Sequence, residues 1–163
     1  MTFRQVYDCL PKGVKDMTTK KPINNVTQLD VDYAVAEGTF KAYQRAATKT
    51  AIYPGQGTPL GLAYCALKLN GEAGELAEHV GKAMRDDDLI TTEPHGDFTA
   101  TYFDRLTSAR MALVVKEVGD VLWYLSAICN EIGCTLEDAA AINLRKLKDR
   151  SDRDALRGSG DER

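Results

Sequence analysis

Histidine, cysteine and long apolar runs are scarce in this chain of 163 residues, and each scarcity argues against a class of protein. The two histidines, His79 and His95, form no zinc-ligand pattern with the cysteines, none of which belongs to a CxxC pair. Reduced thiols in the cytoplasm are therefore expected for all four cysteines, Cys9, Cys65, Cys129 and Cys134. No apolar run reaches the roughly 20 residues that span a bilayer, and the N-terminal segment lacks the apolar stretch of a secretory signal. We expect a cytoplasmic protein without a membrane segment.

Positive charge is also lacking, since 21 basic residues are outnumbered by 24 acidic ones and the net charge is −3. Without a basic field the chain has no general attraction to nucleic acids or anionic lipids, so stable nucleic-acid binding is not expected. Hydrophobic residues make up 44% and charged residues 28%, which places the chain among ordinary soluble globular proteins. The length suffices for one domain with a hydrophobic core.

Hydrophobic periodicity predicts four helices and no β-strand. The first helix follows Asp30, which is the expected N-cap, and the turn-rich segment YPGQGTP comes after it. The segment TTEPHGDF is interpreted as a loop, and Thr135 opens the last helix. The predicted helices cover residues 31–48, 60–85, 102–131 and 135–150. They indicate an all-α, four-helix-bundle-like single domain at residues 29–150, between an N-terminal extension (1–28) and a polar C-terminal tail (151–163).

Two pairs of carboxylates at helical spacing are the most informative feature of the sequence. Glu72 and Glu75 lie three residues apart in the second predicted helix. Glu117 and Asp120 repeat this spacing in the third, so each pair shares one helix face. Each pair borders the apolar stripe of its helix, where a bare negative charge is costly. Four carboxylates that converge between two packed helices would hold a hard divalent cation, and magnesium prefers such oxygen ligands.

Glycines accompany both pairs, although glycine inside a helix costs up to about 1 kcal/mol relative to alanine. Gly71 and Gly74 surround the first pair, and Gly119 lies within the second. Because glycine lets another group come close to the backbone, we expect a second helix or a ligand to approach at these positions.

The pattern Glu72-x-x-Glu75 followed by Glu117-x-x-Asp120 resembles the ExxE…ExxD signature of the MazG-like, all-α nucleotide pyrophosphohydrolases. The segments LKLNGEAGELAEHVGKAMRDD and KEVGDVLWYLSAICNEIGCTLEDAAAINLRKLKDR are also similar to that superfamily. TKTAIYP followed by GLAYCALKLNGEAGELAE is similar to its compact single-domain versions, including phage-encoded ones. The resemblance covers residues 40–150 and departs from the family pattern in the long segment between the two motifs.

The resemblance implies an enzyme that cleaves a nucleoside triphosphate into a monophosphate and pyrophosphate, with magnesium or manganese as cofactor. It implies four metal ligands, which are Glu72, Glu75, Glu117 and Asp120. Glu75 is the chosen candidate for positioning or deprotonating the attacking water, although the residues themselves leave this choice among the four carboxylates open. Family members assemble as dimers or tetramers, so a homo-oligomer is expected.

The last predicted helix carries the expected nucleotide contacts. Asn143, Lys146 and Arg150 share one face and resemble the family segment that meets the phosphates or the sugar. A solvated basic helix end is the plainer interpretation of the same residues. Lys68, one turn before Glu72, is a candidate for phosphate contact or for a simple ion pair. Tyr43, Gln44 and Tyr53 are weaker candidates for a base pocket.

Three other interpretations remain at this point. In the first, the substrate is a special nucleotide such as phosphoribosyl-ATP or a signalling nucleotide. In the second the chain is a ferritin-like di-iron protein, which is disfavoured because neither histidine follows a glutamate by three residues. In the third the chain is a non-catalytic helical adaptor whose acidic residues only set the specificity of oligomer contacts.

Overall fold

The computed structural model describes residues 27–155 and confirms the all-α class. Within that range, five helices and one β-hairpin follow each other along the chain. They are α1 (Gln28–Glu37), α2 (Phe40–Thr48), α3 (Pro59–Asp86), β1 (Ile90–His95), β2 (Phe98–Phe103), α4 (Ser108–Glu131) and α5 (Leu136–Asp152). The chain divides into two compact units, one containing residues 63–125 and the other containing the described residues on either side of them.

The predicted helix at 31–48 is two helices, and its prediction as one continuous element was wrong. Gly38 ends α1 with φ 62°, a left-handed conformation that glycine adopts without steric cost, and its N–H bonds to Ala34 O. Thr39 then caps α2 by accepting a hydrogen bond from the N–H of Ala42. The dipeptide Gly-Thr is thus a stop signal followed at once by a start signal.

Asp30 was expected to be the N-cap of the first helix, and this prediction was also wrong. Thr27 is the N-cap, and Asp30 is the third helical residue of a capping box in which each side chain bonds to the other residue's backbone N–H. Asp30 also forms an ion pair with Lys49, the C-cap of α2. The hydrogen bond from Lys49 is the main reason why the pKa of Asp30 falls to about 2. The same carboxylate therefore starts α1 and ties it to the end of α2.

Residues 90–103 form an antiparallel hairpin, which corrects the predicted loop and the predicted start of the third helix at residue 102. His95 pairs with Phe98 across the two-residue turn Gly96-Asp97, in which Gly96 has φ 64°. The strand β2 is rich in Thr, Phe and Tyr, residues that favour extended structure. The Gly-Asp turn between β1 and β2 was the available signal for a hairpin.

The hairpin is closed at its base by polar contacts. The Asp104 N–H donates to Leu89 O at 3.0 Å. Arg110, in the first turn of α4, donates two hydrogen bonds to Asp87 at 2.7 and 3.0 Å and thereby lowers the pKa of that carboxyl. The planar guanidinium matches the two oxygens of the carboxylate. This pair therefore fixes the point where the hairpin segment leaves α3 and the point where α4 begins.

In the other unit, a buried glutamine organises the packing of α2 against α5. Gln44 is 6% exposed and donates hydrogen bonds to Asn130 Oδ1 at 2.7 Å and to Cys134 O at 3.2 Å. Its Oε1 accepts from the N–H of Leu136, the first residue of α5, at 2.8 Å. Gln44 was a candidate for a base pocket because it is polar. In the structure its side chain forms hydrogen bonds at the start of α5.

The turn-rich segment between α2 and α3 is held by Glu131. Its carboxylate accepts from Tyr53 OH at 2.7 Å and from the Gly57 N–H at 2.9 Å. Gly55, with φ 73°, contacts Gly61 so closely that a Cβ on Gly61 would lie 2.4 Å from Gly55 O. Gly55 and Gly61 are thus required by a close backbone approach.

The predicted extension (1–28) and tail (151–163) lie largely outside the described residues, and α5 runs on to Asp152. In the described part of the chain, no helix has the length and apolar character needed to cross a membrane.

Candidate metal centre

Three carboxylates meet in the unit formed by residues 63–125. Glu72 comes from α3, and Glu117 and Asp120 come from one turn of α4. One oxygen of each lies within 4.8 Å of one oxygen of the other two. Oxygen atoms at such separations can share one cation, and three of the four carboxylates that were predicted to converge belong to this group.

Glu117 carries the strongest evidence for a cation. The residue is 2% exposed, and its Oε2 has no hydrogen-bond partner among the described residues. A buried carboxylate with an unsatisfied oxygen is costly, because the desolvation of that oxygen is not repaid by a hydrogen bond. A divalent ion bound to this oxygen would remove that cost. The donor set of carboxylate oxygens suits a hard cation such as magnesium or manganese.

Two lysines neutralise part of the cluster. Lys116 Nζ donates to Glu117 Oε1 at 2.8 Å and to Asp120 Oδ2 at 3.3 Å, and these bonds raise the pKa of the lysine. Lys68 Nζ lies 3.4 Å from Glu72 Oε1, and the hydrogen bond to Glu72 raises the Lys68 pKa as well. The ion pair expected as one alternative for Lys68 is thus present. Lys116 was missed, although its position four residues before Asp120 was a signal.

His79 also borders the cluster, which sequence reasoning did not predict. Its Nε2 lies 3.8 Å from Glu117 Oε1, and its buried Nδ1 has no hydrogen-bond partner within residues 27–155. His79 follows Glu72 by seven residues, so two helical turns bring it back to the same face of α3. That heptad spacing was the signal available in the sequence.

The other predicted site residues lie outside this cluster. Glu75 is exposed and is not part of the group of three carboxylates. Asn143, Lys146 and Arg150 belong to α5, in the other unit of the chain. Asn143 and Lys146 are exposed, whereas Arg150 is 6% exposed.

The close approach expected at the glycines of α3 and α4 is not made by the described chain itself. A Cβ added to Gly71, Gly74 or Gly119 would meet no atom of the described residues within 4 Å. The predicted approach, by another helix or by a ligand, therefore stays a prediction.

Replacing Lys116 with glutamine is expected to tighten Mn²⁺ binding about 10-fold, because an ammonium beside the ligand oxygens competes with the cation and repels it. Isothermal titration of the purified protein with Mn²⁺ measures the change. Lys82→Gln is the matched control, since Lys82 pairs with Glu78 on α3, away from the cluster, at 2.5 Å. Weaker binding in Lys116→Gln would mean that the lysine supports the site.

The all-α fold and an acidic cluster that contains the buried Glu117 make this chain a candidate divalent-metal protein. Comparison with known families then gives a specific match, because the MazG nucleotide pyrophosphohydrolase domain matches residues 63–153. Gene 37 protein of Mycobacterium phage L5 is 41% identical over 125 residues, which are 74% of this chain and 96% of the phage protein. No solved structure matches the chain. The chain belongs to the MazG nucleotide pyrophosphohydrolase family.

The matched domain includes the three clustered carboxylates as well as Glu75, Asn143 and Lys146. Hydrolysis of nucleotides as a pyrophosphohydrolase is the general activity that this domain implies, and dependence on a divalent metal is typical of such enzymes.

Proposed function

We propose that this protein hydrolyses nucleoside triphosphates, of the ribo or the deoxyribo series, to the monophosphate and pyrophosphate in a magnesium-dependent reaction. The observation that carries this proposal is the buried Glu117 carboxylate, which has one unpartnered oxygen among the described residues and belongs to a cluster with Glu72 and Asp120 inside a MazG domain. Such a cluster has the charge and the donor atoms to hold a magnesium ion against a triphosphate.

Glu72, Glu117 and Asp120 are the proposed metal ligands, and manganese is the alternative ion for the same oxygens. When bound, the metal neutralises phosphate charge and polarises the phosphoryl group toward attack by water. Glu117 is fixed by burial and by its bond to Lys116, so it needs little reorganisation to act as a ligand. Lys116 itself is exposed enough to turn from the carboxylates toward a phosphate.

Glu75 is the proposed residue that positions the attacking water and accepts its proton. It lies one helical turn after Glu72 and is exposed. A carboxylate outside the set of three ligands keeps its oxygens available to accept a proton from water. In this proposal Glu75 acts on the water and is not itself a metal ligand.

Asn143 and Lys146 are the proposed nucleotide contacts on α5. Both are exposed and lie three residues apart, so they present an amide and an ammonium on one helix face. The ammonium can neutralise phosphate charge, and the amide can bond to the sugar or the base. Arg150, which sequence reasoning grouped with them, is buried, and we assign it to the packing of the last turns of α5.

Lys146→Met is expected to raise KM for the triphosphate about 10-fold with a smaller change in kcat, because the exposed ammonium contributes mainly to binding. Steady-state kinetics with detection of pyrophosphate measures both constants. The matched control is Lys148→Met, since Lys148 is also on α5 and exposed but pairs with Asp152 at 2.9 Å. Equal effects of the two substitutions would remove Lys146 from the proposed site.

A homo-oligomer is the proposed state in solution. Four of the exposed apolar residues of α4 are separated by four, three and seven positions, which is the spacing of a helix–helix seam. These residues are Met111, Val115, Val118 and Leu125. Exposed apolar stripes of this kind are typical of surfaces that bind a protein partner. A second copy on this stripe would agree with the dimers or tetramers that the family resemblance implies.

Val115→Asp is expected to shift the protein from oligomer to monomer, because association would bury a bare carboxylate at the seam. Sedimentation velocity over a range of concentrations measures the shift. Ala109→Asp is the control, since residue 109 projects from the opposite side of α4 and is exposed. An unchanged oligomer in the Val115 variant would locate the interface elsewhere.

The direct test of the proposed function is a substrate panel. The purified protein is incubated with each ribo- and deoxyribonucleoside triphosphate, with magnesium and with EDTA, and pyrophosphate is separated from phosphate. Formation of monophosphate and pyrophosphate in the magnesium arm only is the expected result. No turnover of any of these, while a special nucleotide such as phosphoribosyl-ATP is cleaved, would overturn the choice of substrate. No turnover of any nucleotide and no nucleotide binding would favour the adaptor interpretation.

A further inference from the structure

The end of α4 brings two cysteines together by backbone geometry. Gly133 has φ 72°, its N–H bonds to Asn130 O at 3.2 Å, and the Cys134 N–H bonds to Cys129 O at 2.9 Å. This pair of bonds is the Schellman motif, in which the side chains of the two residues joined by the longer bond meet over the helix end. In most proteins those side chains are apolar. Here they are two thiols.

The two thiols differ in exposure and in acidity. Cys129 is 6% exposed, whereas Cys134 is only partly buried. The interaction between the two thiols lowers the pKa of Cys134 and raises that of Cys129. Cys134 also directly precedes Thr135, the N-cap of α5, where the positive end of the helix dipole favours a thiolate. Cys134 is thus suited to attack an oxidant, and Cys129 is placed to resolve the product.

We infer that Cys129 and Cys134 form a redox-active dithiol site, which hydroperoxides convert into a disulfide within the chain. In the first step the Cys134 thiolate attacks the peroxide, an S–O bond forms, the O–O bond breaks, and the protonated leaving oxygen departs as water. In the second step the sulfur of Cys129 attacks the sulfur of Cys134. An S–S bond forms, the S–O bond breaks, and hydroxide leaves with the proton of Cys129 as a second water. Two thiols are oxidised and one hydrogen peroxide is reduced to two waters.

The site has a structural consequence that is independent of the proposed hydrolase activity. The carbonyl of Cys134 accepts a hydrogen bond from the Gln44 side chain. Two residues later, the N–H of Leu136 donates a hydrogen bond to that glutamine. A disulfide would tie the last turn of α4 to this start of α5 covalently. The corner that aligns α5 with α2 would then resist opening in the oxidised protein.

The test treats the reduced, full-length protein with hydrogen peroxide and follows thiol loss, intact mass and disulfide-linked peptides over time. The expected result is loss of two hydrogen atoms per chain, a peptide pair joined through Cys129 and Cys134, and full reversal by dithiothreitol. This pair should react at least about tenfold faster than the fully buried Cys65. Linked peptides between chains, or a stable higher oxide on Cys134 in the wild-type protein, would overturn the inference.

Two variants separate the roles of the thiols. In Cys129→Ser the resolving thiol is missing, so Cys134 should accumulate as a sulfenic acid that dimedone traps. In Cys134→Ser the remaining Cys129 is buried, so peroxide should leave it unmodified over the time that oxidises the wild type. If dimedone labels the wild-type protein as strongly as it labels Cys129→Ser, Cys129 does not convert the sulfenic acid of Cys134 into a disulfide. If either variant fails to fold, the peptide mapping of the wild-type protein decides the question by itself.

Discussion

Glu117→Gln is expected to lower turnover about 10³-fold and to abolish tight Mn²⁺ binding, since a metal ligand supplies several kcal/mol of transition-state stabilisation. The substitution keeps the shape of the side chain and removes its charge. Glu117 is 2% exposed, and its Oε2 has no partner among the described residues, so a neutral amide relieves a buried charge. The metal-free variant should therefore unfold at the same temperature as the wild type or at a higher one.

The combination of lost activity and retained stability is what distinguishes a ligand from a structural residue. Activity is measured by release of pyrophosphate, Mn²⁺ binding by isothermal titration, and stability by calorimetry with EDTA. Glu78→Gln is the matched control, because Glu78 lies on α3, is exposed and pairs with Lys82 rather than with the cluster. Turnover close to wild type in Glu117→Gln, or an equal loss in Glu78→Gln, would contradict the assignment.

Gln44→Ala is expected to reduce the free energy of unfolding by about 2–4 kcal/mol, the range for breaking a buried hydrogen-bond network. The substitution leaves three polar groups without their partner, namely Asn130 Oδ1, Cys134 O and the N–H of Leu136. The last of these is a backbone donor at the buried start of α5, where burial limits replacement of the lost bond by water. The effect should therefore exceed that of an ordinary surface substitution.

Urea unfolding followed by circular dichroism measures the change, and the slope of the transition reports whether the mechanism remains two-state. Gln28→Ala is the control, because the Gln28 side chain bonds to the exposed Asp32, and its replacement should cost no more than about 0.5 kcal/mol. A Gln44 variant as stable as this control would show that solvent replaces the network at little cost.

The carboxylates of the cluster were predictable because their signal is local and periodic. Spacings of three residues place Glu117 and Asp120 on one helix face, and the apolar stripes beside them required a counter-charge. The distances within the cluster and the burial of Glu117 were not predictable, since they depend on how α3 and α4 meet within the unit of residues 63–125. For the same reason, sequence spacing grouped Glu75 with Glu72 although the side chain of Glu75 is exposed and lies outside the cluster.

The fold class was predicted correctly, but two local features were missed. The break at Gly38-Thr39 was overlooked because apolar periodicity continues on both sides of it, and a left-handed glycine stops a helix whatever the period. The hairpin was overlooked because its strands do not alternate cleanly between apolar and polar residues, so only the turn Gly96-Asp97 marked it. Lys116 was overlooked and His79 was not placed at the cluster, because each contacts a residue of the cluster rather than forming a motif of its own.

The most direct test of the central claim follows the oxygen of the attacking water. The wild-type protein is incubated with magnesium and a triphosphate from the substrate panel in water enriched in ¹⁸O. Mass spectrometry then locates the label in the products. Our account predicts one ¹⁸O atom in the nucleoside monophosphate and none in the pyrophosphate, because water attacks the α-phosphorus and pyrophosphate leaves. Label in pyrophosphate, or in phosphate released beside a nucleoside diphosphate, would contradict it.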